Sequence, residues 1–170
     1  MAQRRVSRGY RLLLRGAVLA LALAVGGCAG GYATRDAGVS AIRYAAGPCF
    51  GACPQFEYRI GANGEAWFDG QRFTRVTGQQ PAPGGLDTFQ RLARILDAVR
   101  PDTGERVIGA RNCRRFVTDQ PSLTVVWEEA AGERRLIYNT GCRDVRYQSL
   151  LNTLHQARQA LPVDDLIGTR

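Results

Sequence analysis

The stretch QFEYRIGANGEAWFDG, residues 55–70, constrains the fold more than any other part of this chain. Its first strand alternates charged side chains with the apolar residues Phe56, Tyr58 and Ile60, which is the period of a half-buried strand. The Asn63-Gly64 pair follows, and both residues tolerate the positive φ of a tight hairpin turn. A second apolar run comes directly after the pair. The sequence therefore predicts an antiparallel hairpin here.

Strands are expected on both sides of this hairpin. VSAIRYA, from Val39, reads as a first strand, and QRFTRVTG, residues 71–78, as another that follows a second turn at Asp69-Gly70. The Gly- and Pro-containing stretch QQPAPGG, residues 79–85, is expected to end this meander. A later hairpin is predicted from SLTVVWEE and RRLIYNT, which AAGE joins.

Two stretches have the apolar spacing of amphipathic helices. The first is LDTFQRLARILDAVR, residues 86–100, in which Asp87 and Gln90 have capping-box spacing. The second is VRYQSLLNTLHQARQAL, residues 145–161, which Pro162 ends. The order of elements predicts an α+β fold. In it, an antiparallel β-meander and a late β-hairpin form one sheet, with two helices packed on one face.

The amino-terminal segment has the pattern of an export signal. Five arginines without an acidic residue precede the apolar run GAVLALALAV, and VGGC follows with Cys28 at its end. This resembles the lipobox of bacterial lipoproteins, in which that cysteine is acylated, although an ordinary signal peptide with a coincidental cysteine is the alternative. Ala29 is not the aspartate that commonly retains lipoproteins at the inner membrane. We therefore expect a membrane partner through lipid (palmitate) on Cys28, at the periplasmic face of the cell outer membrane.

The leader also accounts for most of the net positive charge. The whole chain carries 23 basic and 15 acidic residues, a net charge of +8. Cleavage would remove five arginines and leave 18 basic residues against 15 acidic ones. A net charge of +3 excludes a nucleic-acid footprint. The expected organisation is a signal peptide over 1–27, a lipidated tether over 28–38, one domain over 39–161 and a loose tail over 162–170.

Four cysteines remain once Cys28 is set aside. An even number in an oxidising compartment favours two disulfides, and three pairings are open. Cys113–Cys142 is favoured first, because the two residues flank the late hairpin. Closing that loop contributes about 3.5 kcal/mol in the chain-entropy model, whereas the remaining pair, Cys49–Cys53, contributes about 2 kcal/mol. The short pair thus either rigidifies the turn into the next strand or does chemistry.

The chemical alternative is a thiol-based copper or redox site. C-x-x-x-C followed by Pro resembles copper-handling thiols of some periplasmic assembly proteins, and soft thiolates suit Cu(I). The one histidine, His155, lies on the last predicted helix, and the only methionine is the initiator. No nucleophile, zinc or phosphate-loop motif is present. The polar cluster TDQPS, from Thr118 to Ser122, has the composition of a turn. We therefore expect no enzyme, metal or cofactor.

Two motifs resemble a family of small, mostly exported bacterial proteins, domain of unknown function 6438. The first is CFGACPQFEYRIGANGEAWFDG, and the second, less specific one is TDQPS before a strand. The resemblance covers most of residues 40–160, and it adds support for pairing Cys113 with Cys142, which look like additions to the family's minimal cysteine pair. It implies no activity. The matching positions are Cys49, Phe50, Gly51, Cys53, Pro54, Gly64, Phe68, Gly70, Thr118, Asp119, Pro121 and Ser122.

The sequence therefore favours a lipid-anchored, non-enzymatic binding or envelope-interaction module. Its partner would be an unidentified envelope protein or cell-wall component. The alternative is a periplasmic thiol-based copper-binding or redox accessory protein that uses the C-x-x-x-C pair.

Overall fold

The structure is a computed structural model that describes residues 38–168 of the 170-residue chain. Over these residues, seven strands form one sheet in the order β4-β3-β2-β1-β6-β7-β5. Neighbouring strands are antiparallel except β5 and β7, which are parallel. The strands are β1 (Val39–Ala46), β2 (Gln55–Gly61), β3 (Ala66–Arg72), β4 (Gly78–Pro81), β5 (Glu105–Ile108), β6 (Ser122–Glu129) and β7 (Gly132–Asn139).

Three helices accompany the sheet within the described range: α1 (Leu86–Asp97), α2 (Gln148–Ala160) and the single turn α3 (Asp164–Ile167). A 3-10 turn, Val145–Tyr147, leads into α2. The helices pack on one face of the sheet. There the hydroxyl of Tyr44 donates to the carbonyl of Leu154 on α2. The α+β fold class is confirmed.

The core lies between this face and the helices, as the alternation of the strands dictates. In register, Tyr44 of β1 stands beside Tyr58 of β2 and Val125 of β6. These side chains are buried, and so is Trp127 further along β6. Leu92, Leu96, Leu151 and Leu154 close the core from the helices. Burying this apolar surface is the main term that holds the domain together.

The opposite face of the sheet carries charges. Arg59 donates to both carboxylate oxygens of Glu128, over 3.0 Å from Nε and 2.7 Å from Nη2. Arg43 lies 3.1 Å from the same carboxylate and also contacts Glu133. Arg59, and then Arg43, hold the pKa of Glu128 below its ordinary value. Glu128 therefore stays ionised on this face, between two arginines.

The meander departs from the prediction at one place. Asp69 and Gly70 were expected to turn, but they lie inside β3, paired with Glu57 and Phe56. The expected strand over 71–78 is wrong. The chain bends after Arg72 and returns as β4, in the stretch that was expected to end the meander. A glycine is needed at position 70 of the strand because the loop after Arg72 folds back over it. A Cβ there would lie 1.9 Å from the carbonyl oxygen of Val76.

Three further expectations change. The capping box fails, because the N-cap of α1 is Gly85 and no side chain caps it. Strand β5 was not predicted. The tail expected to be loose from 162 instead forms α3, with Val163 and Ile167 buried and backbone hydrogen bonds from Arg75 and Val76 to its carbonyls.

Candidate functional site

Both sequence motifs lie at one end of the sheet. The CFGACP loop joins β1 to β2, and TDQPS leads into β6, the other neighbour of β1. Because β6 runs antiparallel to β1, its first residue meets the last residues of β1. The backbone N–H of Gly47 donates to the carbonyl of Ser122 over 2.8 Å, and that of Phe50 donates to Asp119 over 3.0 Å. Topology thus joins two motifs that lie some 65 residues apart in the sequence.

The TDQPS segment forms a tightly bonded turn. Thr118 Oγ1 donates to Asp119 Oδ2 over 3.0 Å, and Asp119 adopts a positive φ of 65°. The carbonyl of Pro121 accepts from both the backbone N–H and the hydroxyl of Thr140, each over 2.9 Å. Asn139 donates to the hydroxyl of Ser122 over 3.3 Å. Asn139 and Thr140 thus fix this loop to the end of β7.

Two disulfide bonds stand at the same end. Cys49 is bonded to Cys53 within the CFGACP loop, and Cys113 is bonded to Cys142 across the segments before β6 and after β7. An isolated bridge between Phe116 and Cys142 continues the pairing of those segments beyond the sheet. Cys28, the expected lipidation site, lies outside the described residues. The disulfides brace the loops that the motifs form.

A cavity of about 640 Å³ opens beneath these loops, between the end of the sheet and α2. Both motifs contribute to its wall, through Cys53 and Pro54 from one and Gln120 and Pro121 from the other. A mostly apolar pocket of this size with a few polar groups is typical of a small-molecule site. The other lining residues are Tyr44, Ala46, Phe56, Leu123, Thr140, Arg143, Leu151, His155, Arg158 and Ile167.

The polar part of the wall is basic. His155 and Arg143 are exposed at the mouth, and Arg158 is half-buried. Arg158 donates to Asp164 over 3.0 Å, and its guanidinium stands 5.7 Å from the centre of the Phe56 ring. No acidic residue is among those that line the cavity. The site thus offers an apolar interior with a basic rim, which fits a molecule with an apolar body and a negative group.

His155 aside, the cysteine and the tyrosine that line the cavity are held in unreactive forms. The thiols at the site are bonded in disulfides, and burial raises the pKa of the Tyr44 hydroxyl, an effect that Arg158 only partly offsets. In residues 38–168, no group of three or more histidine, cysteine or acidic side chains could hold a metal ion. In the same range, no helix is long and apolar enough to cross a membrane.

The sequence singled out the loops but missed the cavity. His155 was expected on the last helix, where it does lie, with its side chain exposed. Its neighbours on α2, Leu151 and Arg158, line the same cavity. Their spacing of i, i+4 and i+7 is a signal that these three residues share one helix face. Only the strand order could show that this face stands opposite the two motifs.

Comparison with known proteins gives a family and nothing further. A family model described as a domain of unknown function (DUF6438) matches residues 40–160, as the two motifs suggested. No curated protein and no solved structure matches the chain.

Proposed function

The chain belongs to the DUF6438 family, domains of unknown function, and from that premise we propose that it is a non-enzymatic binding module of the cell envelope. A lipid on Cys28 holds it at the outer membrane, facing the periplasm. Its ligand is a small amphipathic anion that the cavity under the two motifs accepts. The observation that carries this proposal is the convergence of both motifs on one apolar cavity with a basic rim.

The contacts of the cavity support each part of the ligand description. Phe56, Leu123 and Leu151 offer an apolar surface to a hydrocarbon or aromatic body. Arg143 at the mouth has no carboxylate partner among residues 38–168, so its charge is available to an anionic group. Charge-assisted hydrogen bonds from arginine to carboxylate or phosphate are stronger than neutral ones. The site therefore selects for molecules that combine the two features.

Calorimetric titration of the mature chain with dodecanoate tests this proposal. We expect binding of dodecanoate, weaker binding of dodecanol, which lacks the charge, and none of acetate, which lacks the apolar body. Ala46→Phe fills the cavity and Arg143→Gln removes the unpaired charge, so each should weaken the binding of dodecanoate. Arg91→Gln, an exposed arginine on α1, is the matched control.

Thermal unfolding of each variant in the absence of ligand separates a lost site from a lost fold. Two results would refute the proposal. One is that folded wild-type protein binds no dodecanoate. The other is that Ala46→Phe and Arg143→Gln bind it as tightly as Arg91→Gln does.

A thiol-based copper or redox role is the second candidate, favoured by one observation. Cys53 and His155 line the same cavity, so reduction of the Cys49–Cys53 bond would place two thiols near the histidine. Thiolate and imidazole together suit Cu(I). Thiol titration with and without reductant tests this, followed by Cu(I) titration of the reduced protein. Absence of Cu(I) binding after reduction would eliminate the metal role.

A further inference from the structure

Five arginines gather at the same end of the sheet, on the two segments that the Cys113–Cys142 disulfide joins. We propose that this arginine tip, together with the exposed Phe50 and Val145, is a docking surface for an anionic lipid bilayer. Of the tip residues, only Arg143 lines the ligand cavity. Arg143 also lines a smaller cleft between the two segments. The members of the tip are Arg111, Arg114, Arg115, Arg143 and Arg146.

The charge of the tip is largely unbalanced. Four of the five arginines have no carboxylate partner within residues 38–168. The exception is Arg146, which donates to Asp144 over 2.6 Å. Asp144 also accepts from the backbone N–H of Arg114 over 3.1 Å, so its charge is already engaged. The only other acidic residue on these segments is Asp119. The tip thus carries as much net positive charge as the whole expected mature chain.

Backbone contacts hold these arginines in place. The N–H of Arg143 donates to the carbonyl of Arg115 over 2.7 Å, and that of Val117 donates to Gly141 over 2.9 Å. The disulfide closes the same pair of segments. A surface that is already ordered loses little conformational entropy on binding. The arginines therefore project from a fixed backbone rather than from a flexible basic tail.

Exposed apolar side chains favour a bilayer over a soluble polyanion as the partner. Phe50 is 88% exposed and Val145 84% exposed. The backbone hydrogen bond from Phe50 to Asp119 fixes the CFGACP loop beside the segment that carries Arg114 and Arg115. Apolar side chains that project beside basic ones enter the boundary between headgroups and acyl chains. A soluble polyanion would bind through the arginines alone and would leave these apolar side chains without a role.

The position of the chain entry allows the tip to reach the membrane that would hold Cys28. Residue Val39 begins β1 at the end of the sheet opposite to the tip, and the strand of eight residues is about 26 Å long. Residues 28–38 span at most about 36 Å when extended. The tether is therefore longer than the domain's sheet along β1, so the tip can contact the same bilayer that holds Cys28. This step rests on the proposed lipid anchor, whereas the tip itself does not.

Vesicle flotation of the mature chain carrying Cys28→Ser tests the tip without the lipid. The described fold begins after this segment, so the variant retains it. We expect binding to vesicles of phosphatidylcholine mixed with phosphatidylglycerol, little binding to pure phosphatidylcholine, and loss of binding as salt is raised. Each arginine near an anionic surface contributes about fivefold in affinity, so Arg114→Gln with Arg115→Gln should weaken binding about 25-fold.

Matched controls make the test specific. Phe50→Ser should weaken vesicle binding, whereas Leu86→Ser, another exposed apolar residue, should not. Arg91→Gln with Arg94→Gln removes two exposed arginines from α1 and should have no effect.

Equal binding by the tip variants and these controls would overturn the proposal. Binding to soluble polyphosphate that depends on the arginines, without binding to anionic vesicles, would overturn it in favour of a polyanion partner. Dodecanoate titration of the same variants separates this outcome from failure of the cavity proposal, because Arg114 and Arg115 do not line the cavity.

Discussion

Asp144 is the carboxylate that two residues of the arginine tip, Arg114 and Arg146, contact. The side chain of Asp144 is almost fully buried. A hydrogen bond from the side chain of Arg146, followed by backbone hydrogen bonds from Arg146 and Arg114, holds the pKa of Asp144 well below its ordinary value. A carboxyl whose pKa is lowered by folding stabilises the fold above its unfolded pKa of about 4, and that stability is lost as the pH falls below it. Asp144→Asn should therefore lower the melting temperature at pH 7, and the gap to wild type should narrow toward pH 3. A gap that does not change with pH would contradict this account.

Gly70 is the residue at which the predicted turn became a strand. A Cβ at this position would meet the carbonyl oxygen of Val76 at 1.9 Å and Thr74 Oγ1 at 2.7 Å, so the loop after β3 must shift to admit a side chain. We expect Gly70→Ala to lower the free energy of unfolding by about 2 kcal/mol or more, measured in urea. Gly109→Ala is the matched control, since nothing lies within 4 Å of a Cβ there, and it should be close to neutral. Equal effects of the two substitutions would show that the loop yields freely.

Each disulfide closes a loop at the same end of the sheet, but the two should differ in stabilising effect. Cys113–Cys142 closes a separation of 29 residues and Cys49–Cys53 one of four. In the chain-entropy model, the paired serine substitutions at 113 and 142 should cost about 3.5 kcal/mol and those at 49 and 53 about 2 kcal/mol. Urea unfolding under non-reducing conditions gives both values. The reverse order would mean that the short loop stabilises the native state itself rather than restricting the unfolded chain.

The elements that the sequence could predict are those in which a periodic apolar pattern repeats over many residues and builds one buried face. Strands β1, β2, β6 and β7 alternate over seven or eight residues, and α1 and α2 bury a continuous stripe. In contrast, β5 has four residues, of which only Ile108 is buried, so it shows no alternation. Helix α3 is a single turn held by contacts with the loop after β3. Such short elements exist because of their tertiary neighbours, which no local pattern records.

The end of the sheet to which we assign function was foreseeable only in part. The motifs and the cysteines were apparent in the sequence, but the cavity needs three segments that only the strand order unites: the CFGACP loop, TDQPS and one face of α2. The arginine tip was hidden for a different reason. The five arginines of the expected leader make up most of the net charge of the chain, and the remaining excess looks small until folding places it at one end. Net charge describes a domain well only when its charges are evenly spread.

The proposed lipidation of Cys28 would decide where this end of the molecule acts. In a Gram-negative bacterium fed labelled palmitate, the wild-type chain should incorporate label and appear in the outer membrane fraction. Cys28→Ser should abolish the label, because a hydroxyl cannot replace the thiol as the acceptor of the lipid. The paired substitutions Cys49→Ser and Cys53→Ser should keep it. Ala29→Asp should also keep the label but move the protein to the inner membrane fraction. Label retained by Cys28→Ser would refute the lipid anchor, and the tip would then have to hold the protein at a membrane alone, with an affinity that falls as salt is raised.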